Sequence, residues 1–435
     1  MTKRVIQSVL SISVVALMIS AAHAVESKEN SSENVSSEPK SKLETIVITA
    51  SGYEQDISKA PASMTVISRE ELDKREYSDI TDVLRNTPGV VVSGSGSAQS
   101  ISIRGMSSNY TLFLIDGKRQ YSKDVNPNGD DNGFEKNILP PMAAIERIEI
   151  IRGPASTLYG SEAMGGVINI ITKKVSDEWS GTAELGTVIQ DKGDAGDLKN
   201  ASVYIAGPLI PNKLGLQLGV SKQEREEDSF VGGFRGNERE SLNSRLTYML
   251  NDQHDLQFDA NFTTQDAKST VGKTVEAVAN ATDSNSRNYR SVYALTHNGR
   301  YSDQLDSATY LQYENSKNPD RANTTLDTKG IELETWTFNN QWNWLLNKHK
   351  LSFGAYYKDE VLNDKATNRN PNIPEFSELS RWSVAGFLED TWSVTDQFNL
   401  TGGLRYDHDE NYGGNLSPRL YGVYSFTDQF SMKGG

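Results

Sequence analysis

The sequence contains no cysteine and only 5 histidines among its 435 residues. The absence of cysteine excludes disulfide frameworks, thiol catalysis and cysteine-based metal sites. The histidines do not recur at the i, i+4 spacing of a helical metal site, so turns and strand ends are their favoured positions. We therefore expect no resident metal or cofactor.

The sequence also lacks a net positive charge, because 58 Asp and Glu residues outnumber 44 Lys and Arg residues and give a formal net charge of -14 at pH 7. A nucleic-acid partner is not expected, since phosphate binding requires a basic surface. The sequence lacks a nucleophile elbow, a phosphate-binding glycine loop with lysine and a helical HExxH motif, so an enzyme is not predicted. An anionic ligand would have to bind at a local basic cluster.

Long apolar runs are limited to one, near the N-terminus. This run follows Lys3 and Arg4 and precedes Ala22-His23-Ala24, which fits a small-x-small cleavage site. Because the run is shorter than the ~20 residues that span a bilayer, residues 1–24 are predicted to be a secretory signal peptide. No later segment reaches ~18 consecutive apolar residues, so a membrane role would require a β-barrel.

Residues 25–43 are rich in Ser, Glu, Lys and Asn, which predicts a disordered tether. The next segment, ETIVITA at residues 44–50, favours an extended backbone through Ile46, Val47 and Ile48. Two interpretations are open for it. It is either a tethered peptide that adds a strand to the sheet of a partner, or the first strand of the following domain.

Residues 51–174 have the pattern of one compact α+β domain. Ser68 and Glu71 form a capping-box signal for a short helix, and Pro88 with Gly89 ends a second helix. Segments rich in Val and Ile predict strands at residues 64–67, 90–92, 100–103, 112–115 and 147–151, and a glycine-rich strand follows the Gly-Pro turn after them.

Residues 175–435 alternate polar and apolar side chains over about twelve predicted strands. Short connections with an Asp-Gln signature alternate with long polar connections at residues 225–240, 265–289, 315–334 and 360–381. A soluble sandwich gives no reason for this alternation, whereas an outer-membrane barrel has short periplasmic turns and long extracellular loops. Aromatic residues near strand ends suit the interfacial girdles of such a barrel.

Four motifs occur in an order that identifies a family resemblance. They are DVLRNTPGVVV at residues 82–92, IRG at 103–105, LIDGKR at 114–119 and the segment IERIEIIRGPASTLYGSEAMGGVINIITKK at 145–174. Together they resemble the plug domain of TonB-dependent outer-membrane receptors, and most closely the branch of catecholate-siderophore and colicin I receptors. The resemblance implies an α+β plug followed by an all-β transmembrane antiparallel β-barrel in the outer membrane of a Gram-negative bacterium. Such barrels have about 22 strands, so we expect an incomplete barrel with about 12 of them.

The resemblance also implies function and partners. Members import ferric siderophores, with iron carried only inside the ligand, and they are energised by the periplasmic partner TonB. Outer-membrane lipid is an expected partner, and colicins or phages are further candidates. Residues 44–50 resemble the TonB box, whose residues here are Glu44, Thr45, Ile46, Val47, Ile48, Thr49 and Ala50.

The candidate ligand site follows the LIDGKR motif. A ferric catecholate is a flat aromatic anion, so its binder needs cations for charge and rings for stacking. The predicted loop of residues 118–133 opens with these groups, and a second long loop adds two arginines; an ordinary solvated loop is the alternative. The candidates are Lys118, Arg119, Tyr121, Lys123, Arg235 and Arg239.

Arg104 and Arg152 are the candidate plug latch that the resemblance implies. In similar receptors such arginines face barrel glutamates and hold the plug until pulling begins, and a buried ion pair suits this role. Ordinary pairing with Glu146 or Glu149 is the alternative.

Two alternatives to a siderophore receptor remain open at this point. A haem or cobalamin receptor belongs to the same class, although the plug segment has no paired histidines to favour haem. A non-transporting adhesin or porin belongs to another class, and it has no use for a TonB box or a plug.

Overall fold

The structure is a computed structural model. It describes residues 46–47, 53, 55–74, 77, 80–93, 100–121, 140, 142–175, 177–323, 328–366, 378–427 and 430–435. The chain divides into two compact units, residues 1–44 and 45–435, and every described residue belongs to the second.

The first part of this unit is the plug. Its helices are α1 (Arg69–Leu72), α2 (Ile80–Arg85) and α3 (Ser156–Tyr159). Its strands are β1 (Ile46–Val47), β2 (Gln55–Asp56), β3 (Ser63–Ser68), β4 (Val90–Ser93), β5 (Ser100–Ile103), β6 (Thr111–Ile115), β7 (Lys118–Arg119), β8 (Ile145–Arg152) and β9 (Gly166–Thr172). A five-stranded sheet has the order β3-β8-β9-β6-β7, in which only β6 and β9 run parallel.

The plug confirms the elements that local sequence signals predicted. The Ser68 side chain and Glu71 form the predicted capping box at the start of α1. Helix α2 and strands β3, β4, β5, β6 and β8 lie at the predicted segments. Phe113, Ile148 and Ile168 are fully buried in the core between the sheet and the helices. Burying each such side chain contributes roughly 1.5–3 kcal/mol, which holds the sheet rigid beneath the site described below.

The second part of the unit is one antiparallel sheet of 13 strands, β10 to β22 in sequence order, here called the wall. The roughly twelve predicted strands are confirmed, and a thirteenth begins at Phe430. The strands are β10 (Ser180–Val188), β11 (Leu198–Ile210), β12 (Leu214–Arg225), β13 (Gly236–Asn251), β14 (His254–Ser269), β15 (Ser284–Ser302), β16 (Leu305–Asn323), β17 (Thr328–Leu346), β18 (His349–Asp364), β19 (Glu378–Ser393), β20 (Phe398–Asp409), β21 (Gly413–Thr427) and β22 (Phe430–Gly434).

The two faces of the wall differ in polarity. Leu388 and Leu404 are 51% and 47% exposed, whereas their sequence neighbours Glu389 and Arg405 are 2% and 1% exposed. Because successive side chains of a strand point to opposite faces, the outer face is apolar and the inner face is polar and covered. This inside-out arrangement suits a sheet whose outer face contacts lipid. None of the described helices is long and apolar enough to cross a bilayer.

The wall corrects the predicted connections. Strands extend into the segments predicted as long loops, which leaves connections at residues 226–235 and 270–283 within the described part of the chain. Residues 410–412 alone join β20 to β21, so the expected alternation of short and long connections fails there. The strand ends beyond the apolar band are polar on both faces, so the sequence pattern does not distinguish them from loops.

Candidate functional site at the plug–wall seam

The hairpin of β6 and β7 places the LIDGKR motif against the wall. Asp116 and Gly117 form its turn, with φ of 48° and 77°. Left-handed values at both central residues are those of a type I′ turn, for which Asp-Gly is a favoured sequence. The chain then continues through Lys118 to Tyr121 along the inner face of the wall. We call the contact region of this hairpin the plug–wall seam.

The first part of the seam is a network of four charges. The Arg245 guanidinium of β13 donates to Asp116 Oδ2 of the plug and to Asp259 Oδ1 of β14, both at 2.6 Å. Lys118 Nζ lies 3.3 Å from Asp259 Oδ2. Thr172 donates to Asp116 from its amide at 2.8 Å and from its hydroxyl at 2.7 Å. The charges thus alternate in sign along the network, with Asp116 and Lys118 on the plug at its ends and Arg245 and Asp259 on the wall between them.

The pKa of Asp116 reports the strength of this network. Burial opposes ionisation of the carboxyl group, but the charges of Arg245 and Lys118 and the hydrogen bonds from Thr172 outweigh it. The pKa of Asp116 is lowered to about 2. The carboxylate is therefore ionised throughout the physiological pH range.

The second part of the seam joins the hairpin backbone to β15 and β16. The Tyr121 amide donates to Glu314 Oε2 at 3.1 Å, and Gln312 Nε2 donates to the Arg119 carbonyl at 2.7 Å. Arg290 donates to Glu314 Oε1 at 2.9 Å and to the Gln120 side chain. These bonds satisfy buried polar groups that would otherwise be costly.

The third part of the seam combines aromatic rings and cations. The Tyr121 and Tyr356 hydroxyls lie 2.7 Å apart, and Lys358 Nζ is 4.9 Å from the centre of the Tyr121 ring. The guanidinium carbons of Arg119 and Arg405 lie 4.6 Å and 5.7 Å from the centre of the Tyr356 ring. These five residues, Arg119, Tyr121, Tyr356, Lys358 and Arg405, are here called the tyrosine–cation cluster.

Carboxylates balance the charge of the tyrosine–cation cluster. Glu162 lies 3.1 Å from Arg119 and 3.3 Å from Lys358, and therefore bridges plug and wall. Glu360 lies 3.0 Å from Lys358, and Asp407 lies 2.8 Å from Arg405. Burial raises the pKa of Tyr121 well above its ordinary value, so its phenol stays neutral.

The structure corrects the setting of the predicted ligand residues. Lys118 and Arg119 form a strand rather than a loop, and both are only 5% exposed. Tyr121 is 1% exposed, and all three side chains contact wall residues or plug groups. The hairpin carries them inward, so they are not open to an extracellular ligand in this arrangement. Lys123 lies outside the described residues.

The two arginines of the predicted second loop lie apart from the seam. Arg235 ends the connection between β12 and β13, and Arg239 lies in β13 opposite Gln223 and Gln265. Both are half-buried and have partners. Their role as ligand contacts stays a prediction.

Arg104 and Arg152 do not form the predicted ion pairs within the described residues. Arg152 instead donates to the carbonyls of Pro88 at 2.7 Å and Met64 at 3.1 Å. Burial and the charge of Arg104 lower the pKa of Arg152. Both arginines line a cavity of about 590 Å³ against β21 and β22. The inward glutamate at position 389 pairs with Arg419 of β21, at 2.8 Å, and Glu149 pairs with Arg147, at 2.8 Å.

The predicted TonB box is described in part. Ile46 and Val47 form β1, which pairs with β2, and Val47 is fully buried in the plug core. These two residues thus take the alternative position, as the first strand of the plug. Glu44, Thr45, Ile48, Thr49 and Ala50 lie outside the described residues, and the role of the segment in coupling stays a prediction.

Sequence reasoning missed the wall residues of the seam. Only some of them carry a sequence signal, which is a single charge at an inward position between outward apolar side chains. Arg405 lies between the exposed Leu404 and Tyr406 in this way. The missed residues are Arg245, Asp259, Arg290, Glu314, Lys358 and Arg405.

Comparison with known proteins agrees with this architecture. The family model of the TonB-dependent receptor plug domain matches residues 56–167, and that of the TonB-dependent receptor-like β-barrel matches residues 207–435. The chain therefore belongs to the TonB-dependent receptors, which join a plug to a β-barrel. It is a protein of the Gram-negative outer membrane and a member of a receptor family rather than an enzyme.

Individual relatives narrow the resemblance. The chain is 45% identical over 395 residues to the iron-regulated outer membrane virulence protein of Vibrio cholerae serotype O1, covering 90% of this chain and 59% of the relative. It is 30% identical to the probable TonB-dependent siderophore receptor PirA of Acinetobacter baumannii, covering 100% of this chain and 64% of the relative. A crystal structure of a point mutant of the ferric enterobactin receptor PfeA of Pseudomonas aeruginosa aligns with a TM-score of 0.78 at 27% identity, covering 89% of this chain and 62% of that chain. The chain thus spans about three-fifths of the length of the relatives it matches.

Proposed function

We propose that this chain belongs to a receptor and energy-coupled transporter for a ferric siderophore of the catecholate type. The observation that carries the proposal is the seam, in which one plug hairpin is bound by charged inner-face residues of the wall. A passive porin or an adhesin does not need such a plug. A transporter does, because its pathway must stay closed until the plug is displaced.

The proposed energy source is TonB, acting on residues 44–50. The pairing of β1 with β2 supports this, because within the described residues it consists of two pairs, Ile46 with Asp56 and Val47 with Gln55. So short a ladder is easily exchanged for a longer one with a partner's sheet. Release of β1 from β2 would also withdraw Val47 from the plug core and loosen the packing around it.

Deletion of residues 44–50 tests the coupling. We expect binding of the ferric siderophore to be retained and uptake to be abolished. The matched control deletes seven residues within the tether, at positions 30–36. This control shortens the tether by the same number of residues but keeps residues 44–50, so uptake should persist. Normal uptake without residues 44–50 would refute the coupling.

The substrate class rests on the names of the relatives and on chemistry. PirA and PfeA are named as siderophore and ferric enterobactin receptors. Competition binding to cells that display the receptor, with ferric enterobactin, haem and cobalamin as competitors, separates the candidates. We expect ferric enterobactin alone to compete at low concentration. If haem or cobalamin competed instead, the proposed substrate would be that compound and not a ferric catecholate.

A further inference from the structure

The inner face of the wall carries aromatic rings beside cations. Tyr356 and Lys358 are inward neighbours on β18, Phe387 is inward on β19 and Arg405 is inward on β20. All four are at most 6% exposed, because the plug covers them. The Arg405 guanidinium carbon lies 5.7 Å from the centre of the Tyr356 ring and 5.9 Å from that of Phe387.

The plug fills this surface with a phenol. The Tyr121 ring lies over the Lys358 ammonium group, and its hydroxyl is hydrogen-bonded to that of Tyr356. A phenol is the closest protein analogue of a catechol ring. Tyr121 thus shows that the wall residues can hold a hydroxylated aromatic ring by a cation–π contact and a hydroxyl contact together.

We propose that Tyr356, Lys358 and Arg405 form a transit site for the catechol rings of the ferric ligand after the plug hairpin has withdrawn. This proposal rests on the proposed function and deepens it. Tyr121 occupies the site in the closed state, and displacement of the hairpin uncovers the same contacts for the ligand. The site lies on the wall, so it remains in place while the plug moves.

The surrounding charges determine how strongly such a site binds. When the plug withdraws, Lys358 loses its contact with Glu162 but keeps Glu360. Glu360 also lies 3.4 Å from Arg381. Arg381 also lies 3.4 Å from Asp409, and Arg405 keeps Asp407. Cations and carboxylates therefore stay nearly balanced. The site offers ring faces and donors without a large net charge, so it holds a passing anion only weakly and does not trap it.

Substitutions at Tyr356 separate transit from plug seating. Tyr356→Leu removes the ring, whereas Tyr356→Phe keeps the ring and removes only the hydroxyl. Tyr121→Phe removes the same hydrogen bond from the plug side, so it reports only the effect of weaker binding between plug and wall. The three measurements are equilibrium binding of ferric enterobactin to de-energised cells, its uptake rate by energised cells, and leakage of a large antibiotic through the receptor.

The expected result is a loss of uptake without a loss of binding. Uptake by Tyr356→Leu should be about fivefold slower than by Tyr121→Phe or Tyr356→Phe, which is the effect of one aromatic contact. Binding by all three should equal that of the wild type. The transit site would be overturned if Tyr356→Leu and Tyr121→Phe took up the ligand at the same rate. It would also be overturned if all three variants showed the same uptake defect and the same leakage. Failure of the wild type to bind ferric enterobactin would overturn the proposed function, and the transit site with it.

Discussion

The plug is attached to the wall in two chemically different ways on its two sides. On the hairpin side, side chains of both partners take part, as in the pairs of Asp116 with Arg245 and of Lys118 with Asp259. On the other side, Arg419 donates to the Pro61 carbonyl, and Lys433 donates to the Ile57 carbonyl at 2.7 Å. Among the described residues, the hydrogen bonds that the wall donates to the plug on this side go to backbone carbonyls. The identity of plug side chains therefore matters on the hairpin side and much less on the second.

The difference is also one of strength. A buried ion pair that loses one partner strands a charge, which costs several kcal/mol, whereas a lost neutral hydrogen bond costs about 1 kcal/mol. The hairpin side of the plug should consequently resist displacement from the wall more than the second side. The segment proposed to be pulled, residues 44–50, leads into the side that is held less strongly.

The largest effect is expected from Arg245→Ala. This change leaves Asp116 and Asp259 with Lys118 as the remaining cation of the four-charge network. The free energy of plug release should fall by about 3 to 5 kcal/mol. Because the chain has no cysteine, a dye on a single Glu70→Cys variant reports release of the plug in urea.

The matched control for that prediction is Arg287→Ala. Arg287 pairs with Asp266, but the two side chains are 40% and 41% exposed. Removing an exposed pair should cost no more than about 1 kcal/mol. Similar costs for the two arginines would show that the hairpin side is not specially anchored.

Acid should weaken the hairpin side selectively. The folded-state pKa of Asp116, about 2, is below its ordinary value of 3.8. The stabilisation is therefore complete above about pH 4 and is lost as the pH falls through about 2, by roughly 2 kcal/mol in all. Plug release measured in urea between pH 5 and pH 2 should show this loss in the wild type and not in Asp116→Asn. Parallel pH curves for the two would contradict the role of Asp116.

Much of the fold could be predicted from sequence because its signals are local. The alternation of Leu388, Glu389 and neighbouring residues specifies a two-faced strand, and the Asp-Gln turns separate the strands. Ser68 and Glu71 specify the start of α1 on their own. The strand ends beyond the lipid band could not be predicted, since neither face there needs to be apolar.

The site could be predicted only on one side. The sequence shows that the segment from Lys118 to Tyr121 combines cations with an aromatic ring, and its role as a ligand site stays a prediction. Its surroundings were predicted incorrectly, because they depend on partners far away in sequence, such as Glu314, which is 193 residues from Tyr121. Local composition indicates what a residue can bind but does not show which distant strand covers it.

Gly117→Ala should have a smaller effect on the hairpin side. The residue has φ of 77°, and no heavy atom lies within 4 Å of an added Cβ, so the cost comes from the backbone alone. We expect plug release to become easier by about 1 to 2 kcal/mol. Gly117→Asn is the control, since asparagine tolerates the left-handed region and should cost less than alanine. A greater cost for asparagine would mean that the turn is not what fixes the hairpin.

The smallest effect is expected on the second side, from Lys433→Met. The ammonium group donates to the carbonyls of Ile57 and Ala60, at 2.7 Å and 3.1 Å, and methionine keeps most of the apolar stem. Both hydrogen bonds are part-buried, and Ile57 and Lys433 line the 590 Å³ cavity, so water can replace the lost donor there. We expect a cost of about 0.5 to 1 kcal/mol in the same urea assay. A cost equal to that of Arg245→Ala would remove the distinction between the two sides, because backbone acceptors would then hold the plug as firmly as buried ion pairs do.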